Sequence, residues 1–259
     1  MTVELVVLAV AGLAAGYVNA IAGAGSLLTL PALIFTGLDS SAANATNRIA
    51  VLFQNAAAIG AYRRGGVRVG RYVWPLLLPT VASAAAGAWV ATLLTNDQLD
   101  AVIAVAMLVF LVLSFVRRRK RTDGAETDES PAPPALPPFR WTMVLGFTVI
   151  GFYAGFLQAG VGILILLYLS LLHGSNLVAA NALKVVVILL FAIIAIVVFV
   201  ASGEEIDPLR GVVLAAGTTA GGYLGARATL ERGEGFVRIV VVIAVLASVA
   251  KLLWDLLRS

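Results

Sequence analysis

Long apolar stretches follow one another along almost the whole chain, and each ends at glycine, proline or a cluster of charge. There are five such stretches on either side of a polar region near the middle. They cover about 4–22, 27–37, 42–62, 72–95 and 98–116, then 141–160, 163–173, 178–201, 208–230 and 235–257. Most are close to the roughly 20 residues with which an α-helix spans a bilayer core. The pattern predicts an all-α polytopic membrane protein.

Composition supports a membrane location. Hydrophobic residues make up 61% of the chain and charged residues only 12%, against about 25% charged in soluble domains. The first residues, Met1 to Glu4, run straight into apolar sequence without the basic stretch that opens a signal peptide. We therefore expect this region to form the first membrane segment of one integral membrane domain.

The central polar region reads as a linker between two halves. It begins with the basic run Arg117–Arg121 and continues through residues 123–138, which contain five prolines together with acidic and small residues. Such a composition cannot bury a core. The expected organisation is a first membrane repeat at 1–116, a cytoplasmic basic and proline-rich linker at 117–140, and a second membrane repeat at 141–259.

The two halves share spaced residues, which indicates internal duplication. The block Ala42–Ala45 recurs as Ala179–Ala182 at an offset of 137, and Gly87-Ala88 recurs as Gly225-Ala226 at an offset of 138. An earlier block recurs at an offset of 139, in which Gly12, Gly16, Asn19, Ala20 and Gly23 match Gly151, Gly155, Gln158, Ala159 and Gly162.

The distribution of charge predicts that the second half is inverted. Arginine and lysine in short loops favour the cytoplasm, so the connection with Arg63, Arg64, Arg68 and Arg71 is expected inside, as is the linker. The corresponding loop of the second half, 203–208, carries three acidic residues and is expected outside.

Inversion requires an odd number of crossings in each half. The segments 27–37 and 163–173 would span only about 16 Å as helices, half a bilayer core. We expect each half to open with a helix that turns inside the membrane, at Gly23–Ser26 or Gly160–Gly162, and returns as a short re-entrant helix. Oblique crossing by the short segments is an alternative that leaves the parity unchanged.

These paired breaks predict a central ligand site. Irregular backbone persists in a membrane only where protein or a water-lined cavity satisfies its amides, and the helix that restarts offers free N–H groups to an anion. The candidate residues are Gly23, Gly25, Ser26, Gly160 and Gly162. The alternative is that these glycines only allow close helix packing.

Amides lie beside both breaks. Asn19 and Gln158 are expected one helical turn before them and could donate to a ligand, or could instead bond to a neighbouring helix.

One cation lies early in the third segment of each half. Asn44, Asn47 and Arg48 occupy the first copy, and Asn181 and Lys184 occupy the second, with Lys184 aligned to Asn47. Lys184 precedes a continuous apolar run, and an ionisable residue inside a membrane segment suggests function. An anion site is the functional interpretation; snorkelling to the interface is the alternative.

The residue types and motifs that the sequence lacks disfavour several classes of function. Acidic residues lie only near segment ends or in loops, which disfavours a cation transporter. There is no cysteine, and no hydrolase, metalloprotease or phosphate-loop motif, so we expect neither an enzyme nor a cofactor or metal. The basic residues flank hydrophobic segments and indicate topology, so no nucleic-acid partner is expected.

Several of these motifs together resemble the TauE/SafE family of sulfite and organosulfonate exporters. The resemblance rests on Gly12–Ser26, Leu30–Leu33, Ala42–Asn47 and Gly87-Ala88, with weaker copies in the second half. It implies efflux of small sulfur-containing anions, such as sulfite or sulfoacetate, across a bacterial inner membrane. The second break departs from the family pattern because it has fewer glycines and no following proline.

The sequence therefore predicts a secondary transporter that works by alternating access at a midplane site between inverted repeats. A channel-like anion pore, a transporter of another small organic anion, and a non-transporting membrane subunit or enzyme stay open as alternatives. A homodimer is expected only by analogy.

Overall fold

The structure, a computed structural model, describes residues 2–23, 25–119, 136, 138–173 and 176–256. Within these ranges the secondary structure is helical, without strands. The all-α fold class is confirmed. Most of the linker, residues 120–135 and 137, lies outside the described residues, as does Ala24 in the first break.

The helices follow the apolar stretches closely. The first half contains α1 (Thr2–Ala22), α2 (Ser26–Phe35), α3 (Ser40–Arg64), α4 (Gly70–Thr92) and α5 (Asn96–Arg119). The second half contains α6 (Trp141–Phe156), α7 (Val161–His173), α8 (Leu177–Ala201) and α9 (Pro208–Leu256). Gly233 has φ 69° and ψ −162° and interrupts α9, so the last two predicted segments are two helical stretches on either side of this glycine.

The second break lies earlier than the sequence predicts. The helix α6 ends at Phe156, and α7 has already begun at Val161. Gln158 and Gly160 adopt positive φ values of 65° and 68°, whereas Gly162 lies within α7. Gln158 is therefore part of the break and not one turn before it. A non-glycine residue rarely adopts positive φ, so the residue type gave no signal for this helix end.

Many large hydrophobic side chains lie on the surface, while several polar and charged side chains are buried among the apolar residues of the interior. Trp74, Leu78 and Trp141 are among the large hydrophobic residues left exposed, while Arg48 and Lys184 are buried. Three described helical stretches are long and apolar enough to cross a membrane, Glu4–Ala22, Gly70–Thr92 and Leu177–Ala201. This arrangement suits a bundle whose outer surface contacts lipid.

The first helix of each half packs mainly against a helix of the other half. The helix α1 packs along α9, and α6 packs along α4, while α3 and α8 contact each other and lie between these pairs. Small residues allow the backbones to touch: a β-carbon on Gly16 would lie 2.3 Å from the Thr218 carbonyl oxygen, and one on Gly155 would lie 1.9 Å from that of Ala84.

The end of the linker region is anchored. Leu136 is buried, and the Tyr72 hydroxyl at the start of α4 donates a hydrogen bond of 3.0 Å to its carbonyl. The chain leading into α6 is therefore tied to α4, against which α6 packs.

Candidate functional site

Arg48 is buried completely and binds the end of α6. Its Nη1 donates to the Ala154 carbonyl and to Gln158 Oε1, both at 2.6 Å. Its Nη2 donates to the Gly155 carbonyl at 2.8 Å and to Asn44 Oδ1 at 3.1 Å. Four of its five N–H groups are thus engaged by neutral oxygens.

This contact has a clear electrostatic cause. The last carbonyls of a helix have no partner within the helix, and the C-terminal end carries partial negative charge. At the end of α6, the Arg48 guanidinium donates hydrogen bonds to the free carbonyls and places a positive charge beside the partial negative charge. Asn44 Nδ2 donates to a further carbonyl, that of Phe156, at 2.9 Å. The Phe199 ring of α8 lies 5.4 Å from Arg48 Cζ and covers the guanidinium.

Lys184 makes the corresponding contact at the end of α1. Its Nζ donates to the carbonyls of Asn19 at 2.8 Å and Ala20 at 3.0 Å, and to Asn181 Oδ1 at 2.6 Å. Asn181 Nδ2 donates to the Ile21 carbonyl at 3.0 Å. The three N–H groups of the ammonium are therefore all used by protein oxygens.

The residue that matches Lys184 in space is Arg48, not Asn47. Asn47 Oδ1 instead accepts a hydrogen bond of 2.8 Å from Thr29 Oγ1 of α2. The offset of 137 pairs Lys184 with Asn47, but the cation of the first half is one residue further along the helix. In each half an asparagine precedes the cation by about one helical turn: Asn44 lies four residues before Arg48 in α3, and Asn181 lies three residues before Lys184 in α8. The asparagine and the cation therefore lie on the same face of their helix and can cap the same helix end.

The two breaks are joined to each other. Asn19 Oδ1 accepts a hydrogen bond of 3.1 Å from the Gly25 backbone N–H. Ser26 Oγ donates to the Gln158 carbonyl at 3.2 Å and accepts from the Gly160 N–H at 3.0 Å. Beside them, the backbones of Gly23 and Gly162 are in direct contact.

The structure thus brings most of the candidate residues into two linked groups. Asn44, Arg48 and Gln158 lie at the end of α6, Asn19, Asn181 and Lys184 lie at the end of α1, and Ser26 with the glycines connects them. The contributions of Phe199 and Thr29 were not predicted, because an apolar ring and a threonine in apolar segments carry no distinguishing signal.

Two buried donors at the α6 end have no partner within the described residues. They are Arg48 Nε and Gln158 Nε2, and they belong to side chains already bonded to each other. Neither Arg48 nor Lys184 pairs with an acidic side chain in the part of the chain that the structure describes. This group therefore holds a buried positive charge that only neutral oxygens and the helix end offset, together with two unpaired N–H groups.

Gln54 and Asn55 are two further buried polar residues of α3. Asn55 is bonded within its own helix, where Nδ2 donates to the Val51 carbonyl at 2.7 Å. Gln54 packs against Gly222 of α9, and its Nε2 has no partner among the described residues.

Apolar helices with exposed hydrophobic side chains, two buried cations and two interrupted helix pairs are typical of a multi-pass membrane protein. The chain belongs to the TauE/SafE sulfite exporter family, whose model matches residues 8–252. The resemblance noted in the sequence is thereby confirmed, and the protein is a membrane transporter, not an enzyme.

Named relatives match over nearly their full length. A probable membrane transporter protein of Sinorhizobium is 28% identical over 97% of this chain and 93% of its own. One of Haemophilus influenzae is 29% identical over 97% of this chain and 95% of its own. The probable membrane transporter protein YfcA of Escherichia coli K12 is 29% identical over 93% of this chain and 86% of its own. No solved structure matches the chain.

Proposed function

We propose that the protein exports a small sulfur-containing anion, such as sulfite, sulfoacetate or a related organosulfonate. The observation that carries this is the buried guanidinium of Arg48, which lacks an acidic partner and keeps Nε unpaired beside the unpaired Nε2 of Gln158. Burying a charge that has no acidic partner, together with unpaired donors, is costly. An oxyanion at this position would offset both costs.

The chemistry of the donors fits a sulfonate or sulfite group. Each presents several oxygens, and charge-assisted hydrogen bonds from arginine to such oxygens are among the stronger ones in proteins. One oxygen would accept from Arg48 Nε and another from Gln158 Nε2, without displacing the carbonyl contacts of the guanidinium. Lys184 would act mainly through its charge, because its three N–H groups are already engaged.

The full proposed site spans both breaks. It comprises the donors and backbone positions Asn19, Gly23, Gly25, Ser26, Asn44, Asn47, Arg48, Gln158, Gly160, Gly162, Asn181 and Lys184. In it, the amides and helix N-termini hold the anion and the two cations supply the attractive potential.

The transport mechanism we propose is alternating access by two inverted repeats, at 1–116 and 141–259. Three relationships support it. The helix α1 packs on α9 as α6 packs on α4, the end of each opening helix is capped by the third helix of the other half, and the two breaks touch. Movement of one half against the other would then open the shared site to alternate sides.

In the proposed orientation the protein lies in the bacterial inner membrane, with the linker 117–140 in the cytoplasm and the loop 203–208 outside. An inside-negative potential then favours export of an anion by about 2.3 kcal/mol per charge per 100 mV. Uniport needs no other source of energy, whereas coupling to protons predicts that flux also follows a pH gradient.

The test is anion binding and flux with purified protein in proteoliposomes. Sulfite, sulfoacetate, taurine, thiosulfate and a carboxylate control are compared. We expect saturable uptake with counterflow for one of the sulfur anions; flux that neither saturates nor supports counterflow would indicate a pore instead.

The site assignment is tested with Arg48→Gln and Arg48→Lys. We expect the glutamine variant to lose at least about tenfold in affinity for the best anion, and lysine to restore part of it because the charge is kept. Arg64→Gln removes an exposed cation from the same helix and is the matched control. Unchanged affinity in Arg48→Gln would show that the anion binds elsewhere.

A further inference from the structure

A groove of about 590 Å³ opens at the end of α3, away from the Arg48 site. Its walls are the last turn of α3, residues 67–69, the first turns of α4 and the start of α8. Arg63, at its mouth, lies 15 residues beyond Arg48, which is about 22 Å along a helix. The groove is therefore distant from Arg48 along α3, although its α8 wall, Ala182 and Val186, lies on either side of Lys184 in the sequence.

The groove is apolar inside and cationic at its mouth. Among the lining residues, Ile59, Val73 and Val186 are half-buried and Ala182 is buried, whereas Arg63 and Arg68 are exposed. A volume of this size lies within the range of small-molecule sites. An amphiphile with an anionic head and an apolar tail matches this distribution.

The four arginines of the α3–α4 connection are not equivalent. Arg64 donates to the Tyr223 hydroxyl at 3.3 Å, and Arg71 donates to the Tyr72 hydroxyl at 2.5 Å. Each of these two guanidiniums also lies over the ring of its tyrosine. Arg63 and Arg68 are exposed and have no acidic partner within the described residues. The two arginines that line the groove are thus the two left for a ligand.

The position of the groove points to a lipid. It adjoins the beginning of the candidate membrane span Gly70–Thr92, and the Trp74 side chain on its wall is 77% exposed. Tryptophan concentrates at membrane–water interfaces, where its ring lies at the level of lipid headgroups. Arginines beside such a ring face headgroup phosphates, while apolar walls deeper in the groove face acyl chains.

We propose that this groove binds an anionic phospholipid. The headgroup phosphate lies between Arg63 and Arg68, and one acyl chain packs against Ile59, Val73 and Val186. Because α3 carries Arg48 and α8 carries Lys184, the bound lipid bridges the two helices that hold the buried cations.

The test uses quenching of Trp74 by brominated lipids. A variant that retains only this tryptophan, made by Trp89→Phe, Trp141→Phe and Trp254→Phe, is reconstituted with mixtures of brominated phosphatidylglycerol or brominated phosphatidylcholine. We expect phosphatidylglycerol to bind at least about fivefold more tightly, the preference that one juxtamembrane arginine supplies. Equal quenching by the two lipids would overturn the proposal.

The chain offers a matched control for the charge. The pair Arg63→Gln and Arg68→Gln should abolish the preference, whereas Arg64→Gln and Arg71→Gln, which remove the same charge from the same connection, should leave it intact. Equal loss in both pairs would mean that only the general potential of the loop attracts lipid. Val186→Phe should weaken the binding of both lipids, because the larger side chain fills the groove. Unaltered binding in this variant would contradict the acyl-chain contact.

A second measurement covers failure of the single-tryptophan variant to fold. Native mass spectrometry of the otherwise unaltered protein counts phosphatidylglycerol retained by the wild type and by the two arginine pairs. Soluble glycerol phosphate should not displace the lipid at millimolar concentration. Complete displacement by it would identify a site for a free phosphate ester instead.

Discussion

The backbones of Gly23 and Gly162 meet where the two interrupted helix pairs come together. A β-carbon on Gly162 would lie 2.4 Å from Gly23 Cα, and one on Gly23 would lie 2.3 Å from the Gly162 carbonyl carbon. Neither position can accept a larger residue unless the backbone moves. The contact holds the breaks of the two halves side by side, with Ser26 bonded to both Gln158 and Gly160.

Substitution of Gly162 tests this contact. Gly162→Ala should destabilise the protein by about 1–3 kcal/mol, since an added methyl must displace backbone. Gly60→Ala is the matched control, because Gly60 also lies inside a helix but has nothing within 4 Å of an added β-carbon. That substitution should be neutral or stabilise by up to about 1 kcal/mol. Thermal unfolding in detergent measures both; equal midpoints would contradict the close approach.

Gln158→Glu should separate fold stability from anion binding. The carboxylate would accept from Arg48 and neutralise its charge, which should stabilise the fold by about 1–3 kcal/mol. The same change should remove binding of the transported anion, because it replaces the Nε2 donor with a negative charge. Unfolding midpoints and anion titrations on the same preparation provide the two readouts.

The control for that substitution is Gln54→Glu. Gln54 is also buried with an unpaired Nε2, but it faces Gly222 instead of a cation. A carboxylate there should destabilise the protein. If both substitutions destabilise the protein equally, pairing of the carboxylate introduced at position 158 with Arg48 does not stabilise the fold.

Lys184→Met should act more on stability than on affinity. The change leaves the carbonyls of Asn19 and Ala20 without their donor, at a cost of about 1–3 kcal/mol. Anion affinity should fall less than in Arg48→Gln, because the ammonium has no spare N–H for a ligand. A variant as stable as the wild type would argue against the capping role of Lys184.

The Asp207 carboxylate should make the stability of the fold depend on pH in the acidic range. Partial burial opposes its ionisation, but hydrogen bonds from the Arg210 backbone and guanidinium outweigh this and lower the pKa of Asp207 below 3.8. Because the folded pKa is depressed, the stabilisation is present above the unfolded pKa and is lost as pH falls through the folded one. Asp207→Asn should therefore flatten the decline of the unfolding midpoint between about pH 5 and pH 3. An identical decline in the variant would rule out this contribution.

The positions of the helices could be predicted because a bilayer imposes a simple rule. Segments such as 178–201 must be apolar and near the bilayer thickness, so hydropathy alone places α8 (Leu177–Ala201) to within a residue. The position of the first break could also be predicted from the sequence, because Gly23 has a φ of 76° and glycine adopts positive φ readily. The second was misplaced because Gln158 adopts positive φ against its intrinsic preference.

By itself, the sequence determined the membrane class, the helical segments, the family and the set of polar residues that had to be inside. Hydropathy and glycine placement are local, and local patterns suffice for these properties. Which partner each polar residue takes was decided only by the tertiary structure. The contact between Arg48 and α6 joins residues 106 to 110 positions apart, and that between Lys184 and α1 spans 164 or 165. These pairs form because the free carbonyls at the ends of α1 and α6 require hydrogen-bond donors, and the packing of α8 and α3 brings Lys184 and Arg48 to them. No residue spacing along the chain indicates this packing.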